Sequence, residues 1–291
     1  MQKFATEIAT PCLVCSSSSR FWFTKNGHDL FRCGNCRLFF VHPTPVTQTI
    51  YKKDYFCGAS KGHGYGNYDQ DKRSDPAFRH YLRALTAVFP NDGRLVDVGA
   101  ATGRFVEMAN TKGWLATGVE ISDFAASKGR ESGLDIRTGS LEYQHFREQA
   151  FNVVTMWDVF EHIGAPHALL GEAYRVLSRD GILALNLPDT DSLYARLAGS
   201  RWQLILPPEH LVLYNRHNLS MILKKHGFQP LIFRRIGKAY RPSYVAQILS
   251  TIRGNALLRT LAQKLRDSKI DNVALPINMR DNMFVLARRE T

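Results

Sequence analysis

Four cysteines near the start of the chain have the spacing of metal ligands. They form two Cys-x2-Cys pairs, Cys12 with Cys15 and Cys33 with Cys36, and seventeen residues separate the pairs. Four thiolates can surround one zinc ion tetrahedrally, which leaves no coordination position open for catalysis. Two disulfides are the alternative, but the first eleven residues have no apolar signal core, so we expect a cytoplasmic, reducing location. The sequence therefore predicts a structural zinc site.

Two histidines have the residue type and the neighbours of a general base. His162 follows Glu161 in one predicted loop. His210 follows Glu209 in another. A neutral imidazole accepts a proton near neutral pH, and an adjacent carboxylate can fix its tautomer and raise its pKa. A structural histidine bonded to a loop backbone is the alternative at both positions. We expect His210 to be the base, with His162 as second candidate and Tyr214 as an assisting hydroxyl.

The segment between the cysteine pairs has the pattern of a hairpin, which a zinc ribbon requires. Two short strand-like segments flank Asn26-Gly27, a common two-residue turn. We place the ribbon at residues 1–42. Residues 43–75 are rich in glycine and tyrosine without clear periodicity, and they could form a lid over a substrate or a tether packed on the main domain. The fifth cysteine, Cys57, is expected to be a packed small side chain rather than a nucleophile.

Strands and helices alternate from residue 76 onward. The predicted strands are 94–99, 115–120, 134–138, 151–157 and 181–187, and helical apolar spacing lies between most of them. Such alternation predicts a largely parallel α/β sheet with helices on both faces. Residues 76–291 are therefore predicted to form one main domain.

Two motifs fall where such sheets bind ligands, beyond the carboxyl ends of the strands. Residues 97–103 form a glycine-rich turn between the first strand and its helix, and glycine lets a backbone approach a ligand closely. Glu120 ends the next strand, where an acid can accept hydrogen bonds from ribose hydroxyls. The chain has no Lys-Ser/Thr of a P-loop and no Arg directly after Glu120. The pair of motifs therefore favours an adenosyl cofactor over a phosphate-rich one.

These motifs resemble class I S-adenosylmethionine-dependent methyltransferases. The matching segments are LVDVGAATG (95–103), GVEIS (118–122), FNVVTMWDVFEHI (151–163), RVLSRDGILALNLP (175–188) and HLVLYNRHNLSMILKKHGF (210–228). The resemblance covers about residues 94–236. It implies a Rossmann-like sheet of seven strands, the last of them antiparallel, with S-adenosylmethionine as cofactor.

The resemblance also implies roles for individual residues. Those that would cradle the methionine part are Asp97, Gly99, Ala101 and Gly103. Those around the ribose and adenine would be Glu120, Ile121, Ser140 and Leu141. Trp157 and Asp158 would edge the cofactor where the methyl group faces the substrate. Ala101 stands where the family usually has a second glycine, which keeps a cofactor site without activity as an alternative.

The whole chain is similar to bacterial zinc-ribbon methyltransferases of sugar and glycan modification, among them deoxysugar C-methyltransferases. In those proteins the expected base is a histidine preceded by glutamate, with a tyrosine two residues further upstream. Glu209 and His210 match this pattern, but Pro207 stands at the tyrosine position. Methylation of a sugar carbon and of a sugar hydroxyl both remain open.

The charge of the chain, +12 in total, is uneven. Residues 229–291 carry 12 Lys and Arg against 4 Asp and Glu, whereas residues 91–228 are near neutral. Basic flanks favour an anionic partner, although solvated faces are the simpler alternative. Within an insert at about 240–275, residues 243–266 have the pattern of amphipathic helices broken at Gly254-Asn255. This insert could cap the active site or a dimer, contact a membrane surface or bind nucleic acid.

The sequence therefore predicts methyl transfer to a sugar, either nucleotide-linked or in a glycan, on a substrate that is anionic. An RNA methyltransferase is the first alternative, because the chain is basic and some such enzymes carry an N-terminal zinc site. The near-neutral catalytic region argues against it. The second alternative is a cofactor-binding or scaffold protein without activity. The composition excludes long disorder and coiled coil, and no apolar run approaches the roughly 20 residues of a membrane span.

Overall fold

The computed structural model describes residues 10–45, 50, 56, 74–89, 93–236, 238–253, 255–266, 268–273, 275–277 and 280–290. Cys57 lies outside these residues, as does most of the predicted lid or tether at 43–75. Within the described ranges, no helix is both long and apolar enough to cross a membrane.

A small antiparallel sheet contains the four cysteines. Its strands β1 (Thr10–Pro11), β2 (Ser18–Lys25), β3 (His28–Cys33) and β4 (Phe39–Val41) follow one another in space as in the chain. Asn26 and Gly27 both have positive φ at the tip of the β2–β3 hairpin, as the predicted turn requires. A fifth strand, β10 (Val212–Leu213), comes from the far part of the chain and pairs with β4. This sheet is therefore joined to the main domain through backbone hydrogen bonds.

A seven-stranded sheet forms the centre of the molecule. Its strands are β5 (Arg94–Val98), β6 (Leu115–Glu120), β7 (Ile136–Thr138), β8 (Phe151–Trp157), β9 (Leu177–Pro188), β11 (Phe228–Arg235) and β14 (Asn282–Arg289). They lie in the order β11-β14-β9-β8-β5-β6-β7. Strands β5 to β9 are parallel, and β14 is antiparallel to both of its neighbours. The predicted seven-stranded sheet with an antiparallel last strand is confirmed.

Side chains of the central strands alternate between two hydrophobic cores, one on each face of the sheet. On β5, Val96 and Val98 pack in one core, and Leu95 packs in the other. On β8, Val154 packs in the first of these cores and Val153 packs in the second. This alternation follows from the pleat, which points successive side chains to opposite faces, and it explains why these strands read as continuous apolar runs.

Helices cover both faces between the strands. In chain order they are α1 (Asp75–Val88), α2 (Arg104–Asn110), α3 (Asp123–Glu131), α4 (Pro166–Val176), α5 (Leu193–Ala198) and α6 (Arg216–Lys225). Helix α6 begins with a capping box, in which the side chains of Asn215 and Asn218 each accept the other residue's backbone N–H at 2.9 Å. This cap fixes the start of α6 directly after Tyr214, beside the candidate base loop.

The interval between β11 and β14 holds β12 (Lys238–Tyr240), α7 (Pro242–Arg253), α8 (Ala256–Arg266) and β13 (Leu275–Ile277). The two helices are separate, as the Gly254-Asn255 break predicts. Helix α8 leaves Leu257 79% and Leu261 46% exposed, beside the exposed basic side chain of Arg259. Its use as a cap, a membrane-surface contact or a nucleic-acid surface stays a prediction.

Candidate functional site

The carboxyl ends of the parallel strands bring the predicted cofactor and base residues to one edge of the sheet. Backbone pairing aligns Val98 at the end of β5 with Val119 on β6 and with Met156 on β8. Trp157, one residue further along β8, pairs with Asn186 on β9. Ligands of such sheets bind in the crevice beyond these ends, so the segments that leave the strands here form the candidate site.

The turn after β5 has a backbone conformation that restricts its residue types. Gly99 and Gly103 have positive φ values of 73° and 87°. A Cβ on Gly99 would lie 2.4 Å from a Val159 methyl carbon, and one on Gly103 would lie 2.6 Å from Leu134. Ala101 also has a positive φ, 50°, which costs a residue with a Cβ about 1–2 kcal/mol. The turn therefore presents mainly backbone to the edge, as a closely approached ligand requires.

Two buried carboxyl groups lie beside this turn. Asp97 is 2% exposed and accepts a 2.6 Å hydrogen bond from the Thr155 hydroxyl. Burial raises the pKa of Asp97 to about 8, and the charge of Glu120 acts in the same direction. Glu120 accepts the backbone N–H of Ala101 at 2.9 Å and of Ser122 at 2.8 Å, while burial raises its pKa. A ligand with a positive charge and hydroxyl donors fits this pair, because it would compensate their burial.

The residues predicted around the adenine gather at the end of β6. The Gly139 N–H donates to the Glu120 carbonyl at 2.8 Å, which places the exposed Ser140 next to that strand end. Ile121 is 48% exposed directly after Glu120, so an apolar surface is available to a planar base. Leu141 is fully buried in the core and supports this loop from beneath.

Phe56, from the predicted lid or tether, packs against the cofactor turn. Phe56 is buried in a small cluster with Ala101 and Ala125, and its ring centroid lies 6.4 Å from that of Phe124. No role for Phe56 follows from the sequence alone. The only available signal was an aromatic residue in a glycine-rich segment, which does not identify its contact. Phe56 therefore covers the turn that the resemblance assigns to the methionine part.

Trp157 and Asp158 point in different directions at the end of β8. Trp157 stacks on Tyr81 with ring centroids 4.3 Å apart and packs edge-on against Phe105, so its indole belongs to the aromatic core. Asp158 leaves the strand with a φ of 54° and accepts a 2.7 Å hydrogen bond from Asn186 Nδ2. The Asp158 carboxylate therefore lies at the strand ends, whereas the Trp157 ring faces the core.

Asn186 on β9 is a polar residue that the sequence analysis missed. It is 1% exposed, and its Oδ1 has no hydrogen-bond partner within the described part of the chain. A buried acceptor of this kind is costly unless a ligand or water satisfies it. The signal was a single polar residue in the apolar run of β9, LALNLP. Asn186 thus positions Asp158 and offers an acceptor at the same edge.

The two candidate bases meet at this edge. The rings of His162 and His210 are nearly perpendicular, at 84°, and their centroids are 4.8 Å apart. The Leu211 N–H donates to the Glu161 carbonyl at 2.8 Å, which ties the two loops together. One possible ligand atom from each of Glu161, His162 and His210 lies within 4.8 Å of the others. By its donor types, this trio can share a proton or hold a divalent cation.

A backbone carbonyl sets the tautomer of His210. Its Nδ1 lies 2.6 Å from the Leu204 oxygen, and the residue is 9% exposed. Because a carbonyl only accepts, Nδ1 carries the proton and Nε2 is the acceptor in the neutral ring. The described partner of Nδ1 is therefore the Leu204 carbonyl rather than a carboxylate. Glu209 itself is 5% exposed beside the imidazole.

Tyr214 is placed differently from the assisting role that was expected. It is fully buried and stacks on Phe160 with ring centroids 5.0 Å apart. Burial, together with the charge of Glu161, raises the pKa of Tyr214 well above its ordinary value. Tyr214 is therefore a neutral phenol within the core behind Glu161. Trp202 is likewise 1% exposed and belongs to the same core.

The four cysteines converge as the spacing predicts. All four Sγ atoms lie within 4.8 Å of one another, with Cys12 to Cys36 and Cys15 to Cys33 both at 3.5 Å. These distances are far longer than a disulfide bond of about 2.05 Å, and the thiols are free. They approach the roughly 3.8 Å edge of a tetrahedron with zinc–sulfur bonds of about 2.3 Å. The arrangement is compatible with a zinc ribbon.

The cysteine-bearing sheet holds the loop that carries His210. The Val41 N–H donates to the Leu211 carbonyl at 2.9 Å, directly after the histidine. Asn26 Nδ2 donates to the Pro207 carbonyl at 3.0 Å, and Lys25 Nζ donates to the Trp202 carbonyl at 3.2 Å. The hairpin tip and β4 therefore fix this loop from both sides of His210.

Comparison with known proteins adds a family match. The profile of a family described as a methyltransferase domain matches residues 70–231, more than half of the chain. An uncharacterized protein of Methanocaldococcus jannaschii is 26% identical over 166 residues, an alignment that covers 55% of this chain and 78% of that protein. The matched family region includes the glycine-rich turn, Glu120 and both histidines of the candidate site.

Solved structures share the fold. The PH0226 protein from Pyrococcus horikoshii superposes with a TM-score of 0.53 at 14% identity, covering 76% of this chain and 93% of that protein. The [4+2]-cyclase SpnF superposes with a TM-score of 0.54 at 18% identity, covering 86% and 98%. At these identities the likeness concerns the fold alone, and a cyclase among the matches illustrates that one fold hosts several reactions.

Proposed function

The chain belongs to the methyltransferase-domain family. From that premise we propose that it transfers a methyl group from S-adenosylmethionine to a sugar, with His210 as general base. S-adenosylmethionine supplies a methyl group on a positively charged sulfur, whose departure leaves a neutral thioether. Positioning therefore provides much of the acceleration, and the remaining need is to remove a proton from the acceptor.

The observation that carries the proposal is the orientation of His210. Its Nδ1 is occupied by the Leu204 carbonyl, so Nε2 is the nitrogen that can take a proton from a sugar hydroxyl or from a C–H next to a ketone. His162 lies edge-on at 4.8 Å, where it can share that proton in a second position. Pro207 stands where the similar deoxysugar methyltransferases have a tyrosine. His210 can act without that hydroxyl in the proposal, because its tautomer is already fixed.

The cofactor assignment rests on the turn and on the two acids. The narrow space at Gly99, where a Cβ would lie 2.4 Å from Val159, supports close backbone approach by the methionine part. Asp97 and Glu120 support binding of the ammonium and of the ribose hydroxyls. In the proposal, Ile121 and Ser140 flank the adenine, and Asp158 with Asn186 lines the path to the acceptor.

We assign the four cysteines to one structural zinc ion. The Val14 N–H donates to Cys12 Sγ, and the Cys36 N–H donates to Cys33 Sγ, both at 3.4 Å. Such backbone donors stabilise thiolates, which are the form that binds metal. With four sulfur ligands the ion has no open position, so its role is to hold the sheet that supports the His210 loop.

The experiment follows the methyl group. The purified protein is incubated with methyl-labelled S-adenosylmethionine and extract of its host, and nucleotide-sugar, glycan, lipid, RNA and protein fractions are separated. Label in nucleotide-sugar or glycan material is the expected result. Label in a nuclease-sensitive RNA fraction would contradict the sugar assignment and favour the RNA alternative. Absence of both transfer and S-adenosylhomocysteine binding would favour the scaffold alternative.

A further inference from the structure

A basic cavity lies beside the candidate site and has no part in the roles assigned so far. Its volume is about 370 Å³, within the range of about 300–1,000 Å³ for small-molecule sites. Four arginines line it together with one acid and one aromatic ring: Arg216, Arg234, Arg235, Arg280, Asp189 and Phe233. This concentration of guanidinium groups around one concave surface needs an explanation beyond solubility.

Strand register places this arginine cavity at the edge that carries the active-site residues. Arg235 at the end of β11 pairs with Met283 on β14, which pairs with Leu187 on β9. The preceding residue of β9, Asn186, pairs with Trp157 on β8. Three strand steps of about 4.8 Å separate β8 from β11, so the cavity lies roughly 14 Å along the edge. An acceptor substrate bound at His210 can span that distance with a second group.

Two of the arginines that line the cavity, Arg216 and Arg234, have no ion-pair partner among the described residues. The Asp189 carboxylate is already held by Arg235, whose Nε and Nη2 both donate to Oδ2 at 2.9 and 2.6 Å. The next acid along the chain, Asp191, pairs with Arg37 at 3.1 Å. Within the described residues, no carboxylate lies within 4.0 Å of Arg216 or Arg234. Arg216 and Arg234 therefore bring two guanidinium groups to the cavity that no described carboxylate neutralises.

Contacts with neighbouring side chains restrict the conformations of two of the arginines. The Arg216 guanidinium lies 4.9 Å from the centroid of Phe233, which restricts it through cation–π stacking. The two hydrogen bonds that Arg235 donates to Asp189 Oδ2 fix its guanidinium. Guanidinium forks bind phosphate oxygens in pairs, and charge-assisted bonds of this kind are stronger than neutral ones.

We propose that the arginine cavity binds a phosphate or diphosphate group of the acceptor substrate. The inference rests on the proposed function, since it adds an anionic handle to the sugar that His210 deprotonates. A diphosphate is the class that best matches several separate guanidinium groups around one cavity. It is carried by nucleotide-linked sugars and also by lipid-linked ones.

The test measures anion binding directly, without methyl transfer. Titration calorimetry with inorganic pyrophosphate compares wild type with the double variant R216Q/R234Q. The double variant R147Q/R179Q is the matched control, since it removes the same two charges from exposed positions near the amino-terminal ends of β8 and β9. We expect saturable binding by wild type and by the control, and at least tenfold weaker binding by the double variant. S-adenosylhomocysteine affinity should be equal in all three proteins.

Two results would overturn the proposal. One is the absence of pyrophosphate binding by wild type at millimolar concentration. The other is an equal loss of binding in R147Q/R179Q, which would indicate a general effect of net charge. If the double variant fails to bind S-adenosylhomocysteine, the single variant Arg216→Gln replaces it, with a threefold or greater loss expected. Pyrophosphate binding without methyl transfer would leave the cavity in place while removing the sugar methyltransferase proposal.

Two further probes distinguish the sources of the anion. Tighter binding of uridine diphosphate than of pyrophosphate would assign the cavity to nucleotide-linked acceptors. Binding to phosphatidic acid vesicles that pyrophosphate competes away, and that R216Q/R234Q loses, would assign it to a lipid headgroup. Both outcomes support the shared phosphate chemistry.

Discussion

The Val41 N–H donates a 2.9 Å hydrogen bond to the carbonyl of Leu211, the residue directly after the candidate base. This bond begins the pairing of β4 with β10, so a strand that leaves the active-site loop completes the cysteine-bearing sheet. The four cysteines and the loop of His210 are therefore held by one sheet, although 173 residues lie between Cys36 and His210 in the sequence. Loss of the metal site should reach the active site through this sheet.

Cys33→Ser tests that coupling. We expect the variant to lose its zinc and to unfold at a temperature lower by roughly 5–10 °C, because the loss of a structural metal removes several kcal/mol. Turnover should fall as well, since the loop around His210 loses its support. Metal analysis and thermal denaturation make the measurement, and Cys57→Ser is the control that should retain one zinc per chain. A Cys33→Ser protein with a full zinc content would refute the ribbon.

Asp97→Asn tests the buried acid beside the cofactor turn. The pKa of Asp97 is raised to about 8 from an unfolded value near 3.8. The protonated carboxyl therefore stabilises the folded protein fully at low pH, and this stabilisation is lost as pH rises. The wild type without ligand should therefore lose stability relative to Asp97→Asn between about pH 4 and pH 8, and the difference should level off above that. Urea denaturation across this range gives the comparison.

The same variant should bind S-adenosylhomocysteine at least tenfold more weakly, because the amide cannot pair with the ammonium group. Thr155→Val is a useful companion, since it removes the hydroxyl that donates to Asp97 and keeps the carboxyl. A stability difference between wild type and Asp97→Asn that does not change with pH would contradict the raised pKa.

Ala101→Gly tests the backbone strain in the turn. Ala101 has a φ of 50°, where glycine avoids a cost of about 1–2 kcal/mol but loses about 0.5–1 kcal/mol in unfolded-chain entropy. We expect a net gain in unfolding free energy of up to about 1 kcal/mol, with cofactor affinity retained. Ala100 is buried and does not have a positive φ, so Ala100→Gly should lower the unfolding free energy instead. A loss of stability in Ala101→Gly would show that its methyl contact with Phe56 dominates.

Tyr214→Phe separates a structural aromatic ring from an assisting hydroxyl. The Tyr214 hydroxyl is buried and has no hydrogen-bond partner in the ranges that the structure describes. Removal of such a group is neutral or stabilising by about 1 kcal/mol. We therefore expect unchanged or slightly higher stability and turnover within twofold of wild type. A tenfold drop in turnover at equal stability would restore the assisting role.

Local sequence patterns predicted the elements that local forces determine. Strand β5 and its turn were recognisable because an apolar run and two glycines carry their own conformational signals. The order Ser74-Asp75-Pro76 is that of a helix cap followed by proline, but Ser74 does not cap α1. Its φ and ψ of −76° and −17° are already helical, and its side chain makes no cap hydrogen bond. A capping residue needs an extended backbone to aim its oxygen at the first turn.

Features that depend on distant contacts could not be predicted. The meeting of His162 with His210 depends on two loops that leave different strands, and nothing in either segment specifies the other. The arginine cavity combines a helix start at Arg216 with a strand end at Arg235, and the sequence shows only scattered basic residues. Sheet order brings such residues together, and it is fixed by packing over the whole core.

The most direct test of the account is the transfer of labelled methyl by His210→Ala. The variant should keep S-adenosylhomocysteine affinity, because His210 has no cofactor role, and should lose at least 100-fold in the rate of sugar labelling, within the range of general base catalysis of about 10²–10⁴. His217→Ala, at an exposed position on α6, should label sugar at the wild-type rate. Equal labelling by His210→Ala and wild type would contradict the central claim, as would label that enters RNA in both.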